Sequence, residues 1–298
     1  MRVLVTGAKG QVGRELVGRR VQYDFEIIGL DRSALDITDQ DSVKREVNRS
    51  GVSLVVNGAA YTSVDRAESE PEIAFSVNGD GPTHLASVCA EAGIPLVHIS
   101  TDYVFDGRKT GPYLETDPVS PLGIYGESKA AGEAGVRTHL QEHIILRTAW
   151  VYGMHGGNFV KTMLRLGRER EVIQVVADQY GCPTYAADIA ETILQIAAQI
   201  LKGQQVTWGT YHYCGKGVTT WHGFAEAIFA VAKQYTNLTV KKVEPITTAD
   251  YPTPAKRPAN SVLDYSLLTE RFNITPGSWT ERLASMLNFF FSGKNKRR

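Results

Sequence analysis

The first half of the chain alternates short apolar runs with longer segments in which apolar residues recur at helical spacing. The apolar runs are rich in Val, Ile and Leu with little alternation, which is typical of strands buried on both faces. Repeated strand–helix units predict an α/β fold with a doubly wound, Rossmann-like parallel sheet over residues 1–150. We predict strands at 2–6, 26–31, 54–57, 96–101 and 144–148, and helices at 11–19, 39–48, 72–92 and 122–137.

The second half is less regular. No low-complexity linker separates the halves, so we expect residues 151–291 to form a smaller α/β lobe that packs tightly on the first domain. A basic tail is expected at 292–298, and Thr38 with Asp41 predicts a capping box. The predicted elements of this half are helices at 159–170, 189–201, 221–235 and 279–291, strands at 172–175 and 211–214, and a proline-rich loop at 251–258.

A glycine pattern lies between the first predicted strand and the first predicted helix. Its glycines are Gly7, Gly10 and Gly13, and Gln11 and Val12 lie between the last two. Glycines at such a turn allow the backbone to approach a pyrophosphate, which then lies at the helix N-terminus. In this context the pattern predicts a dinucleotide site, and we expect NADPH or NADH as the cofactor.

The end of the second predicted strand should decide between the two cofactors. Asp31 can accept hydrogen bonds from the adenosine ribose, which favours NAD, whereas Arg32 can pair with a 2′-phosphate, which favours NADP. Both cofactors therefore stay open. Further residues are predicted to line the nucleotide, beside the adenine or after the third strand: Asp36, Ile37, Ala60, Tyr61 and Thr62.

Tyr125 and Lys129 are four residues apart in a predicted helix and therefore share one face of it. A free phenol has a pKa of about 10 and exchanges protons poorly at neutral pH. A neighbouring ammonium favours the phenolate, so we expect Lys129 to lower the pKa of Tyr125 and make it a useful acid or base. Thr101, at the end of the fourth predicted strand, completes the candidate catalytic set.

Composition narrows the class of partner. The chain has 298 residues, a formal net charge of zero and 43% hydrophobic residues, so we expect no nucleic-acid partner. No apolar run is long enough to span a membrane. Cys89, Cys182 and Cys214 are far apart in sequence and predict neither a zinc site nor a disulfide framework. The chain begins with a strand and not with a leader, so a cytoplasmic location is expected.

Together these motifs resemble the extended short-chain dehydrogenase/reductase family, and a reductase branch of it, over residues 1 to about 291. The resemblance implies reduction of the 4-keto group of a nucleotide sugar, dTDP-4-dehydro-L-rhamnose, to dTDP-L-rhamnose. It implies that Tyr125 donates the proton, Lys129 also holds the nicotinamide ribose, and Thr101 hydrogen-bonds the substrate oxygen. The segments that carry it include TSVD at 62–65, AESEP at 67–71, STDYVF at 100–105, YGESK at 125–129, RTAWVY at 147–152, NFVKTML at 158–164, DQYGCPT at 178–184 and YPTP at 251–254.

The resemblance also implies a substrate pocket. Asp102 and Trp150 are expected to contact the sugar, and Lys161 or Arg257 are candidates to hold the substrate pyrophosphate. Dehydratases of the family carry Thr-Asp-Glu at the end of the fourth strand, whereas this chain has Tyr103 after Asp102. The acid that would drive loss of water is missing, so simple reduction is favoured.

Assembly through a metal is not expected. Some family members dimerise through magnesium held by glutamates, and Glu15 matches the first of these. The second position is Ala187, followed by Asp188, and the C-terminal acidic position is lost in a basic segment. We therefore expect no bound metal, and a monomer or a metal-independent homodimer.

Two other functions stay open. One is a reductase or epimerase acting on another nucleotide sugar. The other is a non-enzymatic, NADP-binding regulatory subunit that resembles the beta subunit of methionine adenosyltransferase, since a binding protein can retain Thr101, Tyr125 and Lys129. Turnover of NAD(P)H with a keto-sugar nucleotide would distinguish an enzyme from such a subunit.

Overall fold

A computed structural model describes residues 1–19 and 22–295 of the chain. Within these residues, six strands form one parallel sheet in the order β10-β5-β4-β3-β1-β2, which confirms the predicted fold class. The predicted 26–31 strand ends one residue earlier than expected. The strands are β1 (Arg2–Thr6), β2 (Glu26–Leu30), β3 (Leu54–Asn57), β4 (Leu96–Thr101), β5 (His143–Thr148) and β10 (Gly209–His212).

Helices cover both faces of this sheet, as expected of strands without polar alternation. Successive side chains of β1 point to opposite faces, so Val3 and Val5 lie in one buried cluster and Leu4 lies in another. The helices of the first half are α1 (Gln11–Gly18), α2 (Gln40–Ser50), α3 (Val64–Ala67), α4 (Pro71–Phe75), α5 (Gly81–Ala92) and α6 (Ile124–His139).

The second half contributes to both lobes. Strand β10 pairs with β5, and α8 packs against the sheet through Ile189 and Ile193, so these two elements belong to the first domain although they lie beyond residue 150. A separate cluster around Phe224 and Trp279 forms the core of the smaller lobe. The helices of this half are α7 (Phe159–Glu169), α8 (Ala186–Leu201), α9 (Trp221–Ala232), α10 (Ser266–Phe272) and α11 (Trp279–Asn295).

Short strands and a loop complete the smaller lobe. The segment 251–258 is a loop, as its prolines require, and the predicted strand at 211–214 begins two residues earlier as β10. Strand β12 was not predicted, and it pairs in parallel with β7. These strands are β6 (Val151–Tyr152), β7 (Val172–Val176), β8 (Tyr180–Gly181), β9 (Thr184–Tyr185), β11 (Thr219–Thr220) and β12 (Lys242–Ile246).

Three local predictions need correction. The capping box was wrong: Asp39 is the N-cap of α2, and its carboxylate accepts a hydrogen bond of 3.1 Å from the Ser42 amide. The predicted helix 72–92 is α4 and α5 joined by a π-helical turn, Ser76–Asp80, directly before the proline in the first turn of α5. Helix α11 continues to Asn295, so the tail begins later than predicted, and residues 296–298 lie outside the described residues.

Across the described residues, the structure contains no helix whose length and hydropathy would suit it to crossing a membrane.

Candidate active site

A smaller and a larger cavity lie side by side at the carboxyl edge of the parallel sheet, where ligands of such sheets bind. Their volumes are about 280 and 710 Å³. Apart from Lys161, every residue that the sequence nominated for catalysis, cofactor or substrate lines at least one of them. The smaller cavity is lined by Gly7, Gly10, Asp31, Arg32, Asp36, Ile37, Ala60 and Tyr61. The larger is lined by Gly10, Gln11, Val12, Gly13, Ala60, Thr62, Thr101, Asp102, Tyr125, Lys129 and Trp150.

The glycine turn has the shape that a dinucleotide pyrophosphate requires. Gly7 has a φ of +66°, and a Cβ added there would lie 2.5 Å from the Gly58 backbone. A Cβ at Gly13 would collide with the Gly7 carbonyl, so neither position accepts a side chain. Helix α1 begins directly after Gly10 without a side-chain cap, and its first amides have no partner within the helix. These amides can therefore bind an anion, and the residues present fit the cofactor.

Charged side chains at the smaller cavity are already paired with one another. Lys9 forms an ion pair with Asp31, and the Arg32 Nε lies 3.3 Å from Asp36. The hydrogen bond from Lys9, followed by that from Ser33, holds the pKa of Asp31 well below its usual range. Sequence reasoning missed Lys9, although it lies inside the glycine pattern and lines both cavities. A cofactor must replace or extend these exposed pairs.

The candidate catalytic residues come from two adjacent elements. Thr101 ends β4, where its hydroxyl donates to Asp102 Oδ1 at 3.0 Å and accepts from the Tyr103 amide at 3.2 Å. Tyr125 lies in the first turn of α6, and its ring contacts that of Tyr103 edge-to-face at 5.4 Å. Lys129 follows one turn later and is 2% exposed. The strand and the helix thus bring a hydroxyl, a phenol and an amine to the larger cavity.

The expected effect of Lys129 on Tyr125 was wrong for this structure. Burial raises the pKa of Tyr125 well above its ordinary value, and a hydrogen bond from Thr101 opposes this. The Lys129 amine instead donates to the Ile99 carbonyl at 2.7 Å. Burial also lowers the pKa of Lys129, to about 8, although Glu133 acts in the opposite direction. The cause is desolvation, which the spacing of two residues in sequence does not reveal.

Among the residues that the structure describes, two buried oxygen atoms at the larger cavity have no hydrogen-bond partner: Asp102 Oδ2 and Thr148 Oγ1. Burial raises the pKa of Asp102 to about 6, and the neighbouring hydroxyl groups of Ser261 and Thr101 partly offset this. Unpaired buried polar atoms are costly, so such atoms facing a cavity indicate a polar ligand. Asp102 was predicted to contact substrate. Thr148 was not predicted, because nothing in the sequence distinguishes a threonine at the end of a buried strand from other threonines.

The aromatic wall of the larger cavity is built around Trp150. Its φ is +48°, which is rare for a residue with a side chain. Its ring stacks on Trp221 with 3.6 Å between the ring centroids and packs against Gly181, where a side chain would collide with it. Trp221 also lines the cavity and comes from the smaller lobe. The lobes therefore meet at this wall.

The two candidate cations for the substrate pyrophosphate differ in position. Arg257 lines the larger cavity and donates to the Tyr103 hydroxyl at 2.9 Å and to Asp65 at 2.7 Å. Lys161 donates to the carbonyls of Met154 and Gly156, each at 2.8 Å. Arg257 is thus the candidate that the fold brings to the cavity.

The two carboxylates considered as metal ligands already form ion pairs. Glu15 pairs with Arg19 at 2.7 Å, and Asp188 pairs with Arg282 at 2.7 Å. Ala187 is buried and offers no ligand. In the described part of the chain, no group of three or more histidine, cysteine or acidic side chains has the arrangement of a metal site.

The doubly wound sheet and the glycine turn, with Thr101, Tyr125 and Lys129 in the adjoining cavity wall, fit an NAD(P)-dependent oxidoreductase of the short-chain type. The family model described as RmlD substrate binding domain matches residues 1–291. The dTDP-4-dehydrorhamnose reductase of Aggregatibacter actinomycetemcomitans is 48% identical over 288 residues, covering 96% of this chain and 98% of that protein. The chain belongs to the dTDP-4-dehydrorhamnose reductase family.

Solved structures agree with this assignment. The dTDP-4-dehydrorhamnose reductase of Clostridium acetobutylicum has a TM-score of 0.90 and 38% identity, covering 97% of this chain and 99% of that one. The enzyme of the same name from Bacillus anthracis, in complex with NADP, has a TM-score of 0.89 and 38% identity, covering 96% and 98%.

Proposed function

We propose that this chain reduces the 4-keto group of dTDP-4-dehydro-L-rhamnose with NADPH or NADH and releases dTDP-L-rhamnose. One observation carries the proposal: Thr101, Tyr125 and Lys129 line the same cavity as the glycine turn, at the carboxyl edge of the sheet. The names of the relatives support the substrate. The NADP complex of the Bacillus anthracis enzyme supports the cofactor.

The bound cofactor supplies the hydride, which reaches the carbonyl carbon of the keto sugar. Negative charge then develops on the carbonyl oxygen, and donors directed at that oxygen stabilise it. The hydroxyl groups of Thr101 and Tyr125 are the donors in this mechanism: Thr101 turns its hydrogen from Asp102 Oδ1 to the substrate oxygen, and Tyr125 transfers its proton to that oxygen. The raised pKa of Tyr125 keeps the phenol protonated at neutral pH, as a proton donor requires.

The polar atoms left unpaired beside this site suit the sugar. Asp102 Oδ2 and Thr148 Oγ1 can exchange hydrogen bonds with sugar hydroxyl groups. The ring of Trp150 offers an apolar face to a 6-deoxy carbon and one N–H donor at its edge. A hydroxyl that satisfies Asp102 would relieve the cost of burying its carboxylate, so substrate affinity and the protonation of Asp102 should be linked.

The nucleotide part of the substrate carries two phosphate groups, and Arg257 is the candidate to bind them. Its guanidinium lies at the cavity wall and can form paired hydrogen bonds to a phosphate. Asp65 and the Tyr103 hydroxyl already hold it in place. We propose Arg257, and not Lys161, as the principal pyrophosphate contact.

The test is a coupled assay with purified protein, the 4-keto-6-deoxy-L-sugar nucleotide, and NADPH or NADH in separate reactions. We expect loss of the reduced nicotinamide absorbance and one product with the mass of the reduced sugar nucleotide. A panel of other keto-sugar nucleotides serves as the comparison. Faster turnover of another member would assign the chain to that sugar. Tight NADP binding without turnover of any of them would indicate a regulatory subunit.

A further inference from the structure

A buried row of polar side chains runs from the first strand of the sheet to Lys129. Thr6, Asn57 and His98 are register neighbours on β1, β3 and β4. The Thr6 hydroxyl lies 2.6 Å from Asn57 Oδ1, Asn57 Nδ2 lies 3.0 Å from His98 Nδ1, and His98 Nε2 lies 3.4 Å from Lys129 Nζ. All four side chains are 2% exposed or less. Asn57 and His98 have no part in the mechanism above.

The direction of the hydrogen bonds from Thr6 to His98 is fixed at Asn57. The Ala59 amide donates to Asn57 Oδ1 at 3.1 Å, and a backbone amide cannot act as an acceptor. Asn57 Oδ1 is therefore the acceptor and Asn57 Nδ2 the donor. A neutral imidazole carries one N–H, so the nitrogen that accepts from Asn57, Nδ1, is bare and Nε2 carries the hydrogen.

The protonation state of Lys129 decides whether the last contact of the row, between His98 Nε2 and Lys129 Nζ, can be a hydrogen bond. An ammonium has three N–H donors and no acceptor, so a protonated Lys129 presents hydrogen towards the Nε2–H of His98. A neutral amine has one lone pair, which can accept that N–H while another amine hydrogen stays on the Ile99 carbonyl. The row is therefore complementary to the amine form of Lys129 and not to the ammonium form.

We propose that His98 is a positioning residue whose Nε2–H, held by Asn57, stabilises the neutral amine of Lys129 during the reduction. The inference rests on the proposed function for the role of Lys129. When Tyr125 gives its proton to the substrate oxygen, a phenolate remains. Lys129 then gives one proton to that phenolate, which becomes a phenol again, and Lys129 is left as an amine whose new lone pair accepts the Nε2–H of His98. Water returns the proton to the amine before the next turnover.

The surrounding charges act separately from this row. Glu133 lies one turn after Lys129 on α6 and favours the ammonium, but its carboxylate is engaged by Arg147 at 2.6 and 2.8 Å and by Arg137 at 3.2 Å. Burial, followed by Lys129, Arg137 and His143, holds the pKa of His98 well below its ordinary value. His98 therefore stays neutral and keeps one N–H to offer.

The first test reads the tautomer directly and needs no turnover. Protein labelled with ¹⁵N-histidine is examined in a long-range ¹H–¹⁵N NMR spectrum, and the signals of His98 are assigned by their loss in His98→Leu. We expect the Nε2–H tautomer in the wild type over the whole range of neutral pH. An Nδ1–H tautomer or a doubly protonated ring would overturn the proposal, whether or not the protein is an active reductase.

The second test is the pH dependence of kcat. The rate falls as pH rises past the apparent pKa of the Tyr125–Lys129 pair, because reduction needs a proton from it. His98→Leu removes the N–H donor and disfavours the amine form of Lys129, so the Tyr125–Lys129 pair keeps its proton to higher pH. We expect the alkaline fall to move up by about one pH unit, the size of one hydrogen bond.

Asn57→Asp is the complementary variant. A carboxylate at position 57 accepts from Nδ1–H, which turns Nε2 into an acceptor for the Lys129 ammonium, so the alkaline fall should again move up. In the His98→Leu background only the charge of the carboxylate can act on Lys129, so the shift should be clearly smaller. An equal shift with and without His98 would be a plain charge effect and would overturn the proposal.

Thr6→Val is the matched control. It removes a hydroxyl that contacts Asn57, but the Ala59 amide still fixes the orientation of the side-chain amide, so the alkaline fall should not move. Protein that shows no turnover of any keto sugar would refute the proposed function and leave the tautomer result intact. A normal reductase whose pH profile ignores His98 would refute this inference alone.

Discussion

The two cavities along the sheet edge differ in how their charged groups are held. At the smaller cavity, Lys9 and Arg32 have side chains 74% and 77% exposed, and each is paired with a carboxylate. At the larger cavity, Thr101, Asp102 and Lys129 are 7%, 3% and 2% exposed. Exposed pairs are screened by water and exchange partners at little cost, whereas buried groups have shifted pKa values and fixed hydrogen bonds.

This difference indicates separate roles: the smaller cavity would recognise the cofactor, and the larger cavity would carry the reaction. The smaller cavity can adapt to either cofactor by moving flexible side chains, so changes there should alter relative affinities by modest factors. The larger cavity is lined by the buried groups that we propose to exchange protons, so changes there should alter the rate itself. Substitutions in the two regions therefore test whether this division is real.

The largest effect is expected at Tyr125. Tyr125→Phe should fold and bind cofactor but lose roughly 10²- to 10⁴-fold in kcat, the usual contribution of a general acid. Tyr61→Phe is the control at the other cavity, since it loses only a hydroxyl that donates to Glu70 at 2.6 Å. Steady-state kinetics with saturating cofactor decide the point. Retention of most of the wild-type kcat in Tyr125→Phe would remove this residue from the mechanism.

Lys129→Met should come next, with losses in both rate and cofactor affinity. The wild-type rate falls when the Tyr125–Lys129 pair loses its proton, whereas the variant keeps only the phenol, whose pKa burial raises, so the residual activity should persist to higher pH than in the wild type. The measurement is a pH–rate profile of wild type and variant over the alkaline range. An unchanged profile would show that the ammonium does not influence the phenol once cofactor and substrate are bound.

The contrast between the cavities also explains what the sequence could predict. The parallel sheet follows from uninterrupted runs of Val, Ile and Leu, and Gly7 and Gly13 indicate the turn because no other residue fits there. Tyr125 and Lys129 were found from helical spacing. The return of β10 to the main sheet depends on contacts between distant segments, as do the raised pKa of Asp102 and the unpaired Thr148. Spacing along the chain carries no information about such burial.

A smaller effect is expected at the cofactor end. Arg32→Ala should weaken NADPH more than NADH, because only NADPH carries the 2′-phosphate, and Asp31→Ala should do the reverse. The ratio of kcat/KM for the two cofactors should change by roughly three- to tenfold, as one exposed charge contact allows. Lys9→Ala tests, by the same ratio, whether Lys9 contributes to the choice between the two cofactors. If none of the three variants moves the ratio, the adenosine end of the site lies elsewhere.

No effect is expected from chelation. A bridging Mg²⁺ needs about six oxygen ligands, whereas Glu15 and Asp188 are held by arginines and Ala187 offers none. EDTA should therefore leave both activity and the size measured by light scattering unchanged. A dimer that dissociates on chelation and re-forms with added Mg²⁺ would show that other ligands replace the missing glutamates.

The most direct measurement of the central claim follows the hydride. The protein is incubated with NADPH that carries deuterium on the transferred position of its nicotinamide, together with dTDP-4-dehydro-L-rhamnose, and the product is examined by NMR and mass spectrometry. We expect one deuterium, located at C4 of the sugar, and no incorporation with Tyr125→Phe on the same timescale. Deuterium at another carbon, or a changed sugar without deuterium, would contradict reduction at this site.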